Sequence, residues 1–291
     1  MMIGLPGSGK STIAKQELQS KYAATILSSD NYRIKLFNDE NDQTHNSEVF
    51  SALYSDMKIL LSEGRNVIFD ATNINIKDRK RCFDVIRNIK NVKVVAYVVN
   101  TPFEFCIKRD SERLRVVGYD IISNMQKRFV YPQLFEGFSS ITLHYRYAYS
   151  DACRQLLDCR MNMFNQQNPW HNYALGEHSN RVANQFDEND VRYEAGKLHD
   201  VGKLFTQIFD ENGIAHYYGH ENVGAYYICS HPEFVKEQYD FADILFYINQ
   251  HMHIHQIKDS EKAIKKYKAL FGEDKFNKLI EFDNADKVLS R

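Results

Sequence analysis

Residues 4–11 read Gly-Leu-Pro-Gly-Ser-Gly-Lys-Ser and fill every fixed position of G-x-x-x-x-G-K-[ST]. Glycines there let backbone amides curl around phosphate oxygens at a helix N-terminus, whose dipole favours anions. The motif predicts that Gly4, Gly7, Ser8, Gly9, Lys10, Ser11 and Thr12 bind a nucleoside triphosphate. Lys10 would reach the β- and γ-phosphates, and the Ser11 hydroxyl would ligate Mg²⁺. In the run Ser28-Ser29-Asp30-Asn31-Tyr32-Arg33, Asp30 can accept the proton of an attacking hydroxyl and Arg33 can hold an anionic substrate. Asp30 can equally be a simple helix cap. In Asp70-Ala71-Thr72-Asn73 the carboxylate can orient the magnesium shell. Arg109 and Arg113 can close over the triphosphate and neutralise transition-state charge, the alternative being a solvated charged helix, since Asp110 and Glu112 are interleaved. Arg115, with Asp110 and Glu112 interleaved before it, reads better as a solvated charge.

The second half offers a different chemistry. His199-Asp200-Val201-Gly202-Lys203 is accompanied by His178 before it, Gly219-His220-Glu221 after it, then His251, and finally Asp286 in Ala285-Asp286-Lys287. Imidazole nitrogens and carboxylate oxygens converging from several helices make a mixed N/O site, suited to Mn²⁺, Fe²⁺, Co²⁺, Ni²⁺ or Mg²⁺. No cysteine pair stands nearby, which argues against a structural zinc ribbon. His216, His231, His253 and His255 read as structural or surface residues; His171 and His253 are the two most open to lying near such a cavity.

These side chains need elements to position them. Strand-like segments at 24–28, 66–70 and 92–99 alternate with helical stretches at 10–21, 46–63 and 77–90, the second with Val49, Phe50, Leu53, Tyr54, Met57 and Leu61 at helical spacing. Residues 1–3 give a very short first strand and 139–143 a last one. Alternation with buried strands predicts a parallel sheet covered on both faces, whose strand ends present Asp30 and Asp70 to the nucleotide. From about residue 147 the pattern turns helical, at 152–164, 173–186, 191–201, 221–229, 241–251 and 275–290, punctuated by Gly219, Pro232 and Gly272. The expected domains are therefore 1–147 and 148–291.

Composition bounds the reading. The chain has 291 residues, enough for two domains, with 43% apolar residues, which excludes wholesale disorder. Its net charge of −1 hides an asymmetry: residues 1–150 carry +5 and residues 151–291 carry −6. No apolar run reaches the ~18 residues of a membrane helix. The glycine loop at Gly4 leaves no room for a leader peptide. The 5 cysteines lack paired spacing and read as reduced thiols of a cytoplasmic protein.

Over residues 1–145 the chain resembles the kinase domain of polynucleotide 5′-kinases, the end-healing enzymes of nucleic-acid repair. The resemblance rests on the glycine loop, on Asp30, Tyr32 and Arg33, on Asp70-x-Thr72-Asn73, and on Arg109 and Arg113 four apart. It implies Asp30 as general base, Arg33 as a contact to substrate phosphate together with Asp70 and Asn73 on the substrate side, and Arg109 and Arg113 as lid contacts to ATP. Asn31 departs from the second acidic residue common in that family. Small-molecule P-loop kinases share part of the pattern.

Over residues 165–290 the chain resembles the HD phosphohydrolase superfamily, including the flanks Gly-His-Glu-Asn-Val-Gly-Ala at 219–225 and Asn-Ala-Asp-Lys at 284–287. That resemblance implies one metal held by His178, His199, Asp200 and Asp286, and a second at His220 and His251 with Asp200 bridging. Lys203 would bind the phosphate. The expected fold is an α/β P-loop kinase domain, a parallel sheet with flanking helices, followed by an all-α HD domain. In known fusions of these two modules the HD module comes first; here it is last. Together the resemblances imply a bifunctional RNA end-healing enzyme using ATP and Mg²⁺: a polynucleotide 5′-hydroxyl kinase joined to a phosphatase or phosphodiesterase for 2′,3′-cyclic or terminal phosphates. Its partners would be nucleic-acid ends, RNA before DNA, with a separate RNA ligase acting afterwards. The alternatives are a small-molecule or nucleotide kinase fused to a nucleotide phosphohydrolase, and a non-catalytic, nucleotide-responsive regulator.

Overall fold

The computed structural model describes residues 1–39, 44–113, 115–257 and 260–289. The chain forms two compact units, one of Met1–Met125 with Glu136–Tyr145, the other of Gln126–Phe135 with everything from Arg146 onward.

The first unit is built on short parallel strands. β1 (Met2–Ile3), β4 (Val95–Val98) and β5 (Ser140–Leu143) pair in the order β1-β4-β5, and β2 (Thr25–Ser28) pairs with β3 (Val67–Asp70). The two groups are joined beside β1. Gly4 N–H donates to Thr72 O at 3.0 Å, and the buried Asn73 side chain donates to Met2 O at 2.8 Å. The registers Met2↔Tyr97, Ser28↔Asp70 and Val98↔Leu143 put the carboxyl ends of the strands at one edge. Helices cover both faces, as an α/β sheet of this kind requires. On one side Leu27 and Phe69 pack with Tyr32 of α3 (Ser29–Phe37), Leu53 and Met57 of α4 (Asn46–Ser62) and Ile86 of α5 (Ile76–Ile86). On the other, Met2, Ile68 and Val99 pack with Ile13, Ala14 and Leu18. The helical run after the glycine loop is α1 (Lys10–Ile13), a π-helical stretch over Ala14–Leu18, and α2 (Gln19–Lys21). α6 (Phe103–Ser111) and α7 (Tyr119–Gln126) follow β4.

Three bounds differ from the sequence expectation for a backbone reason. The helix expected over 77–90 starts at Ile76, because Asn75 accepts from Asp78 N–H at 3.0 Å as its N-cap. It stops at Ile86, where Ile89 N–H closes on Ile86 O at 2.8 Å and Asn91 turns left-handed at φ 62°. The strand expected from residue 92 therefore begins only at Val95.

The second unit is helical apart from one small hairpin. Its helices are α8 (Asp151–Met163), α9 (Leu175–Ala183), α10 (Val191–Leu198), α11 (Lys203–Thr206), α12 (His220–Ser230), α13 (Phe241–Ile257), α14 (Glu261–Phe271) and α15 (Glu273–Leu289). The hairpin pairs β6 (Ile208–Phe209) with β7 (Ala215–His216). α13 runs past the expected end at 251 because its later turns stay in the core, with Ile254 and Ile257 packed against Phe271, Phe276, Leu279 and Phe282. α14 was not anticipated; Ser260 caps it through Ala263 N–H at 3.3 Å, and Gly272 ends it at φ 85°. Residue 290, the expected end of the last helix, lies outside the described residues.

Residues 126–135 belong to this helical unit, whereas the expected first domain ran unbroken to 147. Aromatic burial and a bidentate amide account for it. Phe129 meets Tyr226 edge-on at 5.0 Å, and Phe135 lies 5.2 Å from Phe271. The Asn249 amide accepts from Tyr131 N–H at 3.0 Å and donates to Phe129 O at 2.9 Å. Among the described residues, no helix is long and apolar enough to cross a membrane.

Candidate functional site

β1 delivers the chain into a loop that ends at Lys10, the first residue of α1. Gly7 sits at φ 77°, and a Cβ there would stand 2.1 Å from Cys106 O, so only glycine fits. The Lys10 side chain folds back over the loop and donates to Leu5 O at 2.8 Å. Burial pulls its pKa below the usual lysine value, against the pull of Asp70. Ser11 Oγ donates to Asp70 Oδ2 at 2.7 Å, joining the loop helix to the end of β3. Ser8 is fully buried, and its carbonyl accepts from Thr101 Oγ1 at 2.8 Å and Arg109 Nη1 at 3.4 Å. Thr12 is exposed.

Asp30 lies inside the first turn of α3, one residue beyond Ser29 and not at the cap position Ser28, so the capping alternative does not describe it. Its Oδ1 receives Arg33 Nη1 at 2.9 Å and Arg115 Nη1 at 2.7 Å. Arg33, buried, also donates to Asn46 Oδ1 at 2.7 Å. Arg115 is thus a partner of Asp30 and not the solvated charge expected from the sequence. The reason is the buried Asp110, whose Oδ2 accepts from Val117 and Gly118 N–H, both at 2.9 Å, and turns the chain back after α6. Arg113 remains exposed, its N–H on Asp110 O at 3.2 Å. Asn73 is buried at φ 47°, its amide donating to Met2 O and Ala71 O and its own carbonyl accepting from Arg79 at 3.1 Å.

In the second unit the six ligand-type side chains meet. His178 comes from α9, His199 and Asp200 from the end of α10, His220 from the start of α12, His251 from α13 and Asp286 from α15. Two buried groups can each hold a metal ion: His178, His199 and Asp286, and Asp200, His220 and His251. Asp200 faces both. Its Oδ2 lies 3.3 Å from His199 Nε2 and 3.5 Å from His178 Nε2, and its Oδ1 lies 3.0 Å from His220 Nε2 and 3.6 Å from His251 Nε2. Asp286 Oδ1 lies 3.0 Å from His178 Nε2 and 3.5 Å from His199 Nε2. Gly202 permits this convergence, since a Cβ there would fall 1.9 Å from His220 O.

The donor set fits a cation. The Nδ1 atoms of His199, His220 and His251 each lie 2.8 Å from a backbone carbonyl, of Gly196, Tyr217 and Ile248. A carbonyl can only accept, so Nδ1 carries the proton and Nε2 is turned inward as a ligand atom, the usual outer support of metal-binding histidine. His220 and His251 then face each other Nε2 to Nε2 at 3.1 Å, a repulsive pair unless positive charge lies with them. His199 Nε2 is buried without a hydrogen-bond partner. Burial disfavours charge on His199, yet Asp200 and Asp286 outweigh it and push the imidazole up to about 10. Burial likewise opposes the two carboxylates, but His199 and Lys203 around Asp200, and His178 and His199 around Asp286, hold both well below the usual range. The same field that attracts a proton to Nε2 attracts a metal ion.

Lys203 spends its ammonium on Asp200 Oδ2 at 2.7 Å, Gln166 Oε1 at 2.9 Å and His171 Nε2 at 3.1 Å. Gln166 and His171 are residues at the site that spacing alone did not single out, although His171 was open to lying nearby. Burial and Lys203 bring His171 down to about 4, so it meets Lys203 as a neutral acceptor. The remaining described histidines of this unit are not among the metal-ligand groups: His253 stands edge-on to Tyr267 at 4.8 Å, His231 stacks on Phe234 at 5.4 Å, and His216 pairs with Asp210 at 3.1 Å. The His255 side chain lies outside the described residues.

Comparison with known proteins bears on the first unit. The family model described as an AAA domain matches residues 1–132. The match indicates a P-loop NTPase or kinase-like fold, in keeping with the parallel sheet, its flanking helices and the glycine loop. No curated protein matches the chain. The chain therefore carries an ATP-binding, kinase-like P-loop domain, followed by a helical region in which histidines and aspartates form groups able to bind metal.

Proposed function

We propose that the protein heals broken RNA ends: the first unit transfers the γ-phosphate of ATP to a 5′-hydroxyl, and the second, an HD-type domain, hydrolyses a 2′,3′-cyclic or terminal phosphate at the other end. The observation that chiefly supports two opposed activities is Asp200, whose Oδ2 lies near His178 and His199 and whose Oδ1 lies near His220 and His251, while Lys203 stands at 2.7 Å. Such a shared carboxylate is what a paired-metal phosphohydrolase needs, and the kinase unit has no use for it.

In the kinase, Lys10 would leave Leu5 O for the β- and γ-phosphate oxygens, and Arg109, already on Ser8 O, would close over them. Ser11 and Asp70 would hold the Mg²⁺ that accompanies ATP. Asp30 takes the proton of the 5′-hydroxyl as that oxygen forms its bond to the γ-phosphorus and the bond to ADP breaks. Arg33 and Arg115 aim the Asp30 carboxylate by sharing one oxygen, which leaves Oδ2 for the substrate.

In the second unit His178, His199, Asp200 and Asp286 would hold one metal and His220 and His251, with Asp200, a second. Bound there, the metals supply Lewis-acid polarisation of a phosphate and a water of lowered pKa. Lys203 receives a phosphate oxygen in exchange for His171, the least buried of its three partners.

The test offers ATP and an RNA bearing a 5′-OH and a 2′,3′-cyclic phosphate, and scores both ends of the same strand. Phosphate gained at the 5′ end and released or opened at the other supports the reading. A free nucleoside or sugar phosphorylated in preference to the broken strand overturns it in favour of nucleotide salvage.

A further inference from the structure

Two short stretches beside the Lys203 cluster present alternate side chains in opposite directions. Along 216–218, Tyr217 turns inward, its hydroxyl reaching Gln166 O at 2.5 Å and its ring lying 5.6 Å from Lys203 Nζ. His216, the last residue of β7, and Tyr218, in the turn that follows it, both lie outward and stack at 5.6 Å with their planes 3° apart. The facing segment repeats the arrangement, with His171 turned in to Lys203 and Trp170 turned out beside His216 at 6.2 Å, its plane tilted 52° from that ring. Ala215 N–H ties the two segments by donating to Gln167 O at 3.0 Å. Three neighbouring rings, two of them parallel, therefore lie just outside the residues that would hold a phosphate. They are open: Trp170 is 53% and Tyr218 65% exposed.

We propose that Trp170, His216 and Tyr218 form a stacking surface for the unpaired bases of a single-stranded nucleic acid whose terminal phosphate lies at Lys203. The proposal rests on the nucleic-acid reading above and names how the strand is held. Stacking suits this half of the chain better than charge does. Residues 151–291 carry a net −6, so counterion release from phosphates is a poor source of affinity here, whereas planar rings bind any base through its π-face. The parallel His216–Tyr218 pair sets the plane on which the first base continues the stack.

Trp170 is the only tryptophan of the chain, so its fluorescence reads the surface directly. The intact protein is titrated with a single-stranded decanucleotide and with an abasic strand of equal phosphate count. Quenching by the base-bearing strand, at about 10-fold lower concentration than the abasic strand needs, is the expected result. Tyr218→Ala should weaken the base-bearing strand by about 10-fold and leave the abasic strand unchanged, and Tyr218→Phe should restore it. Equal binding of the two strands, or no loss in Tyr218→Ala, overturns the proposal. Release of end phosphate is scored in parallel. Base-selective quenching without release keeps the stacking surface and removes the hydrolase reading, while release without base selectivity removes the stacking surface alone.

Discussion

Ser11 Oγ donates to Asp70 Oδ2 at 2.7 Å, bridging the start of the loop helix and the end of β3. In the proposed kinase these two oxygens would hold the Mg²⁺ that accompanies ATP, with Ser11 directly after Lys10 in the loop helix. Asp70→Asn keeps the shape and the hydrogen bond but removes the charge. Phosphoryl transfer should fall by about 100-fold or more, partly recovered at high Mg²⁺, as read from initial rates over a magnesium titration.

Asp30 has a double occupation to test, since Arg33 and Arg115 both rest on its Oδ1. As the proposed general base it would be worth about 10² to 10⁴ in rate, and the role assigned to it is toward the 5′-hydroxyl and not toward ATP. Asp30→Ala should therefore lose that factor in kcat while ATP affinity, measured by direct binding, stays within a few-fold. A near-normal rate would reduce Asp30 to an anchor for two guanidinium groups.

The glycine loop was legible because its chemistry is contiguous, and the alternating strand and helix segments because buried periodicity is local. The pairing of Arg115 with Asp30 was not, because those residues are 85 positions apart and meet only through the turn that buried Asp110 imposes. The histidines and aspartates of the second unit could be picked out by type, yet their sharing of Asp200 is a property of α9, α10, α12, α13 and α15 converging, which spacing does not encode. Gln166 carried no signal at all: it is an unremarkable amide before Lys203, 37 positions on, takes its side chain as a partner. The placement of residues 126–135 was not legible because their partners in the second unit, Tyr226, Asn249 and Phe271, lie far along the chain.

Arg79 is fully buried on α5 and clasps Glu136 through Nε at 2.7 Å and Nη2 at 2.8 Å. The pair fixes the return of the chain into β5. Removing one partner strands a buried charge, so Arg79→Leu should cost about 3–5 kcal/mol in the first unit's denaturant transition. Arg79→Leu with Glu136→Leu should recover most of that loss, because no uncompensated charge remains. If the double variant is as weak as the single, packing and not charge is what Arg79 supplies.

The histidine and aspartate cluster predicts metal content independently of turnover. His199→Ala removes an inward Nε2 and should lower the bound metal per chain measured by elemental analysis. His253→Ala should leave the content unchanged, since that ring packs on Tyr267 and not on the cluster. A wild-type protein that carries no metal from any of the candidate divalent ions, and whose phosphate release survives chelation, would rule out the phosphohydrolase reading.

The two proposed chemistries would use residues that share no side chain: Lys10, Ser11 and Asp70 in one compact unit, and Asp200 with its histidines in the other. Lys10→Ala deletes the cation at the transferring phosphate and should reduce 5′ phosphorylation by orders of magnitude, with 3′-end phosphate removal kept. Asp200→Ala deletes the carboxylate common to both histidine groups and should abolish 3′ removal, with 5′ phosphorylation kept. Measuring both ends of one RNA in each variant gives four rates. Independent sites require that each variant lower one rate and spare the other. If either substitution removed both activities while the protein remained folded, the ends would be processed through one coupled state, and the assignment of one chemistry to each unit would have to be given up.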